Sequence, residues 1–245
     1  MRSIIDSMTE RQISGQSSQG SAVAQLLQAA VALERQDQLD AAARLYQSVL
    51  AREPRHFDGL NRLGVVRSRQ GQFDEAARLI RKAVARNPRS ADAHNNLGTV
   101  LQALGRYRAA IDHYERALAI NPSFAEAHNN YAVALQALDR LDEAIAHYKD
   151  ALRFKSGYAE AHNNLGVLLQ KMERIHEGIV HFERALALRP NYVEALTNLG
   201  TAPTGTGKTR RRLASFRNRS DPSQRQTIPR SIHWWSPLIT CWARS

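Results

Sequence analysis

The chain repeats itself every 34 residues, and that period constrains its fold more than any other feature. The strings ADAHNNLG, AEAHNNYA, AEAHNNLG and VEALTNLG begin at 91, 125, 159 and 193. AIDHYERALAINP, AIAHYKDALRFKS and GIVHFERALALRP begin at 110, 144 and 178 with the same period. Extended backwards, the register gives looser copies from Val23 and Phe57, so the repeats run 23–56, 57–90, 91–124, 125–158 and 159–192, with a sixth starting at 193. A unit this short cannot bury its apolar face alone, and stacking on neighbours is what makes it stable.

Residue size follows the register. Counting places from the start of each repeat, place 8 is Ala30, Gly64, Gly98, Ala132, Gly166 and Gly200, and place 20 is Ala42, Ala76, Ala110, Ala144 and Gly178. Small residues at both places let two helices approach closely. Large apolar residues surround that contact: Leu63, Leu97, Tyr131 and Leu165 in the first half of the repeat, and Tyr46, Ile80, Tyr114, Tyr148 and Phe182 in the second. Their three- and four-residue spacings are those of an amphipathic helix. Pro54, Pro88, Pro122 and Pro190 close four repeats at one place, where Ser156 stands in the fifth. A proline there stops the second helix, since it lacks an N–H and crowds the preceding turn.

Period, size pattern and proline placement resemble the tetratricopeptide repeat over residues 23–200. That resemblance implies an all-α fold, a right-handed superhelical solenoid of antiparallel helix pairs whose first helices line a concave groove. The expected organisation is a polar N-terminal segment 1–21, a repeat array 22–200 and a basic tail 201–245. In this repeat type the groove-facing places are 2, 5, 6, 9, 12 and 13. Place 5 is Asn61, Asn95, Asn129 and Asn163; place 6 is Arg62 and then Asn96, Asn130, Asn164 and Asn198; place 12 includes Gln102, Gln136 and Gln170. A carboxamide both donates and accepts hydrogen bonds, so a row of them suits the backbone of an extended peptide whatever its side chains. The alternative is that these asparagines pack between helices.

The AHNNLG wording resembles the arm of the O-linked N-acetylglucosamine transferases, where an asparagine ladder grips substrate backbones. On that resemblance Asn96, Asn130, Asn164 and Asn198 form the ladder, and the chain is the substrate-recruiting arm of a glycosyltransferase-like protein without its catalytic domain. The leading expectation is a protein–protein interaction scaffold, not an enzyme, with a protein or peptide ligand and no cofactor. Place 2 carries Asp58, Asp92, Glu126, Glu160 and Glu194, acids that disfavour the carboxylate clamp of chaperone-binding members. Ser123 with Glu126 and Asn191 with Glu194 have capping-box spacing, and acids in a first helical turn suit the helix dipole.

Three features imitate chemistry. His94, His128 and His162, and likewise His113, His147 and His181, are copied with the repeat. Equivalent side chains lie in successive layers, whereas metal ligands must converge, so no metal is expected. APTGTGKT at 202–209 resembles a phosphate-binding loop, but that loop should follow a strand, and here it follows a helical segment; ATP binding is not expected. In the repeat register Gly207 and Phe216 fit a decayed sixth unit instead, interrupted by Pro203 and Arg212. Of the formal net charge of +11, residues 201–245 hold nine Lys/Arg against Asp221 alone, and residues 1–200 hold 25 against 22. Basicity therefore belongs to the tail, which also holds Trp234, Trp235 and Trp242; nucleic-acid or membrane contact through it is a lesser reading than a degenerate end. Cys241 has no cysteine to pair with. With no apolar run of about 18 residues and no signal-like N-terminus, the expected location is cytoplasmic.

Overall fold

The computed structural model describes residues 21–202, and among these the regular elements are all α-helices. The N-terminal segment to residue 20, the 203–209 part of the phosphate-loop look-alike and the basic tail lie outside the described residues. The helices are α1 (21–35), α2 (Leu39–Arg52), α3 (Phe57–Arg69), α4 (Phe73–Arg86), α5 (Ala91–Ala103), α6 (Tyr107–Ile120), α7 (Ala125–Ala137), α8 (Leu141–Phe154), α9 (Ala159–Lys171), α10 (Ile175–Leu188) and α11 (Val193–Thr201). None is long and apolar enough to cross a membrane.

Each repeat is one hairpin, and its turn lies at place 15. Asp37, Gly71, Gly105, Asp139 and Glu173 all adopt φ between 58° and 77° there. A left-handed residue just past a helix end lets the next N–H reach back to the last turn. Arg106 donates to the Leu101 carbonyl at 2.8 Å, Arg140 to Leu135 at 3.0 Å and Arg174 to Leu169 at 2.9 Å. The second helices end at Arg52, Arg86, Ile120, Phe154 and Leu188, two residues before the proline place. At α8 that place is Ser156 and the helix stops in the same register, with the Tyr158 N–H closing a turn onto the Lys155 carbonyl at 3.1 Å. Ser156 and Gly157 supply turn propensity where the proline is missing.

The chain divides into two compact units, one ending at Pro122 and the other beginning at Ser123. In the first, α2 packs on α3, α3 on α4, α4 on α5 and α5 on α6. In the second, α7 packs on α8, α8 on α9, α9 on α10 and α10 on α11. Tyr46, Tyr114, Tyr148 and Phe182 are buried, as are Leu97 and Leu165, which accounts for the large-residue pattern of the sequence. The small places are equally specific. A Cβ on Gly98 would lie 2.6 Å from the Tyr114 ring, and one on Gly166 2.6 Å from Phe182. One on Gly178 would lie 2.8 Å from the Gly166 carbonyl oxygen, so in this hairpin the two backbones themselves meet where both places are glycine.

The N-cap positions of α7 and α11 fall one residue later than the capping-box spacing placed them. Phe124 and Tyr192 occupy the N-cap positions of α7 and α11 without a side-chain cap bond, leaving Ser123 and Asn191 one residue outside. The capping side chains are elsewhere: His56 Nδ1 accepts from the Gly59 N–H, and Ser90 Oγ from the Ala93 N–H, each at 3.2 Å. The place 2 acids do sit in first turns, where the dipole favours them.

Candidate functional site

The asparagine pairs divide by burial. Asn95, Asn129 and Asn163 at place 5 are buried, with Asn129 only 1% exposed; Asn61, in the second repeat, is half-buried. At place 6, Asn96, Asn130, Asn164 and Asn198 are half-buried. The two places are joined across consecutive repeats. Asn96 donates its amide N–H to Asn61 Oδ1 at 3.2 Å in the first unit. In the second, Asn164 donates to Asn129 at 3.1 Å and Asn198 to Asn163 at 2.9 Å. Asn129 in turn donates to Asn130 Oδ1 at 3.3 Å. Place 5 is thus an acceptor that staples one hairpin to the next, buried in three of its four copies. Place 6 is the more exposed of the two.

The glutamines are tied as well. The Tyr114 hydroxyl donates to Gln102 Oε1 at 3.1 Å and the Tyr148 hydroxyl to Gln136 Oε1 at 3.3 Å, leaving each NH2 group for other partners. Gln170 stands opposite Phe182, which has no hydroxyl, and makes no such bond. In the first repeat the same network is ionic: Tyr46 donates to Glu34 at 2.8 Å, and Arg62 at place 6 lies 3.6 Å from that carboxylate. Beside it an open depression of about 550 Å³ is lined by Leu27, Gln28, Val31, Arg35, Asp58 and Arg62, among others. These are places 5, 6, 9, 13, 2 and 6 of the first two repeats, all on first helices.

The acids of place 2 are partly neutralised by cations that place counting alone did not bring near them. Lys155 Nζ lies 2.5 Å from Glu126 Oε1 and 4.7 Å from the Tyr158 ring centroid. Burial raises the Glu126 carboxyl, but Lys155 and a backbone N–H outweigh it and hold the net value below the ordinary one. For Glu160 burial wins over Arg189 and Lys155, and its carboxyl is raised.

The histidines lie in separate layers as expected, yet within each layer they meet. His94 and His113, His128 and His147, and His162 and His181 each bring Nδ1 to Nδ1 at 3.0 Å. Copied histidines stay in separate layers along the array but converge within each layer. Place 4 of the first helix and place 23 of the second face one another across the hairpin, a pairing visible only after folding. His94 Nε2 lies 3.1 Å from the Pro88 carbonyl, which accepts only, so Nε2 carries the proton and Nδ1 accepts from His113. Burial lowers His94 and, with help from His94 and Arg116, pushes His113 down to about 4. Burial and His181 push His162 down to about 4.

The phosphate-loop look-alike begins directly after α11, whose C-cap is Ala202, so no strand precedes it.

Comparison with known proteins agrees with the geometry. Tetratricopeptide repeat models match residues 33–98, 91–124, 113–146 and 159–192, and a TPR repeat model matches 137–173. No curated protein matches the chain. Among solved structures, MamA is 24% identical over 71% of this chain and 96% of its own, with a TM-score of 0.57. YrrB, described as a TPR protein with an unusual peptide-binding site, is 24% identical over 70% of this chain and 89% of its own, at 0.55. A thermophilic TPR protein of Thermus thermophilus is 23% identical over 80% of this chain and 99% of its own, at 0.64. The family matches together cover more than half of the sequence. The chain belongs to the tetratricopeptide repeat family.

Proposed function

We propose that the chain is a protein–protein interaction scaffold whose first-helix faces hold an extended polypeptide by its backbone. The observation that carries this reading is the division of labour between places 5 and 6. Each of Asn96, Asn164 and Asn198 commits one N–H to the preceding repeat. That bond orients the carboxamide and leaves its C=O and second N–H at a partly exposed position. Preorganised polar groups lose little freedom on binding. The Gln102 NH2 group stands on the same helix as Asn96, and that of Gln136 on the same helix as Asn130, each nearly two turns further along. YrrB adds support as a fold relative described by its peptide-binding site.

The test is binding of unstructured peptides of varied side chain but common length. Asn96→Ala, Asn164→Ala and Asn198→Ala together lower affinity at least tenfold while helicity is retained. Peptides with N-methylated backbone amides lose affinity for the unaltered protein, which separates ligand contact from weakened stapling. Equal binding of methylated and plain peptides overturns the reading. The substrate-recruiting arm of a glycosyltransferase is a special case of this face, resting on the AHNNLG wording; a transferase activity that co-purifies through these asparagines distinguishes it.

A further inference from the structure

The three histidine pairs share one geometry and differ in a third residue. Place 26, three residues after the second histidine, is Arg116 in the third repeat, Asp150 in the fourth and Arg184 in the fifth. Residues three apart on a helix share a face, so whatever stands at place 26 stands beside the imidazole pair. From this contrast we propose that His128, His147 and Asp150 form a binding site for a borderline divalent transition-metal ion, zinc in the first instance.

The three side chains each present one ligand atom, and these atoms lie within 4.8 Å of one another, a convergence found nowhere else among the described residues. Tetrahedral zinc with bonds of about 2.0–2.2 Å holds its ligand atoms about 3.3 Å apart. The imidazole nitrogens, at 3.0 Å, need open by only about 0.3 Å to reach that spacing. The Asp150 carboxylate, half-buried and three residues from His147, closes the remainder by rotation about its own side-chain bonds. Its present partner, Arg153 at 3.0 Å, is a solvent-exposed side chain that competes weakly. Two nitrogens and one oxygen leave a fourth position to water, and imidazole with carboxylate suits zinc, cobalt, nickel and copper over magnesium or calcium.

The rings are held in place from outside. Tyr131 stacks on His147 at 4.2 Å between centroids, and Phe154 on His128 at 5.5 Å. The equivalent residues are Leu97 and Ile120 in the third repeat and Leu165 and Leu188 in the fifth, so both aromatic walls belong to the fourth. An arginine at place 26 puts a guanidinium where a cation would sit, so the sister pairs serve as built-in controls.

The experiment is titration of the full chain with ZnCl2 in a non-coordinating buffer, read by calorimetry and by thermal midpoint. The unaltered protein binds one equivalent through this site, and zinc raises its midpoint. Asp150→Arg, the residue of the sister repeats, lowers affinity at least tenfold and abolishes the midpoint rise; Asp150→Asn, of nearly the same size, does the same if the arginine form fails to fold. Arg116→Asp adds a second equivalent. Zinc binding that is absent, or that is unchanged by both Asp150 variants, overturns the site.

Discussion

At place 15 the repeat holds two glycines, two aspartates and a glutamate in one backbone conformation. A side chain at left-handed φ crowds its own carbonyl at a cost of about 1 kcal/mol, and glycine escapes that cost. Gly105 has no heavy atom within 4 Å of where its Cβ would stand, so only the backbone is at issue there. Gly105→Ala therefore destabilises by about 0.5 kcal/mol in urea titration, once the freedom that alanine removes from the unfolded chain is subtracted. Glu173→Gly, at φ 61°, gains stability by about 0.5 kcal/mol after the added freedom of the unfolded glycine is subtracted. Opposite signs for these two changes check the assignment. Aspartate tolerates the conformation better than most residues, which fits Asp37 and Asp139.

Between the helices of one hairpin the controlling quantity is clearance. Gly98 faces the Tyr114 ring, and the ring is held by its hydroxyl on Gln102 as well as by packing. Gly98→Val drives two methyl groups into that ring and costs about 1–3 kcal/mol, read from the denaturation midpoint. Between hairpins the controlling contact is the amide staple. Asn164→Ala removes the donor to Asn129, whose side chain is buried, and an acceptor so stranded costs about 1–3 kcal/mol. The surface ion pairs between neighbouring turns, Lys171 with Asp139 and Arg69 with Asp37, join exposed groups and contribute little. Close steric contacts within hairpins and amide staples between them thus recur along the array.

For the molecule as a whole, the half-buried histidines His113 and His162 set a pH dependence. His113 and His162 have folded values of about 4 against an ordinary 6.5, because burial disfavours the charged form. Above 6.5 both states are neutral and this source adds no slope. As pH falls from about 6.5 toward about 4, the unfolded chain takes up protons that the folded chain refuses, and stability is lost across that window. Glu160 works in the opposite direction, since its raised carboxyl binds a proton more readily when folded. The thermal midpoint is expected to drop by roughly 4 °C or more between pH 7 and pH 5. His113→Gln with His162→Gln flattens that slope; a slope unchanged by the pair shows that the carboxylates set it.

The periodic features were legible before folding. A residue that recurs every 34 places with constant size has one environment, so the hairpin, the close contact at places 8 and 20 and the large buried side chain at place 24 follow from the sequence. Helix stops were legible through proline, although Ser156 shows that turn residues suffice. Contacts between different places were not legible, because repetition says where a residue recurs and not what it faces. Only the packed hairpin set place 4 against place 23 and made histidine pairs. Only the packing of consecutive repeats buried place 5 under place 6 and turned half of an expected ladder into a staple. The helix starts shifted for the same reason: α7 and α11 begin one residue later than the capping-box spacing implied, at Ala125 and Val193. Local propensity proposes a start to within a residue or two, and the neighbouring helix decides which one it is.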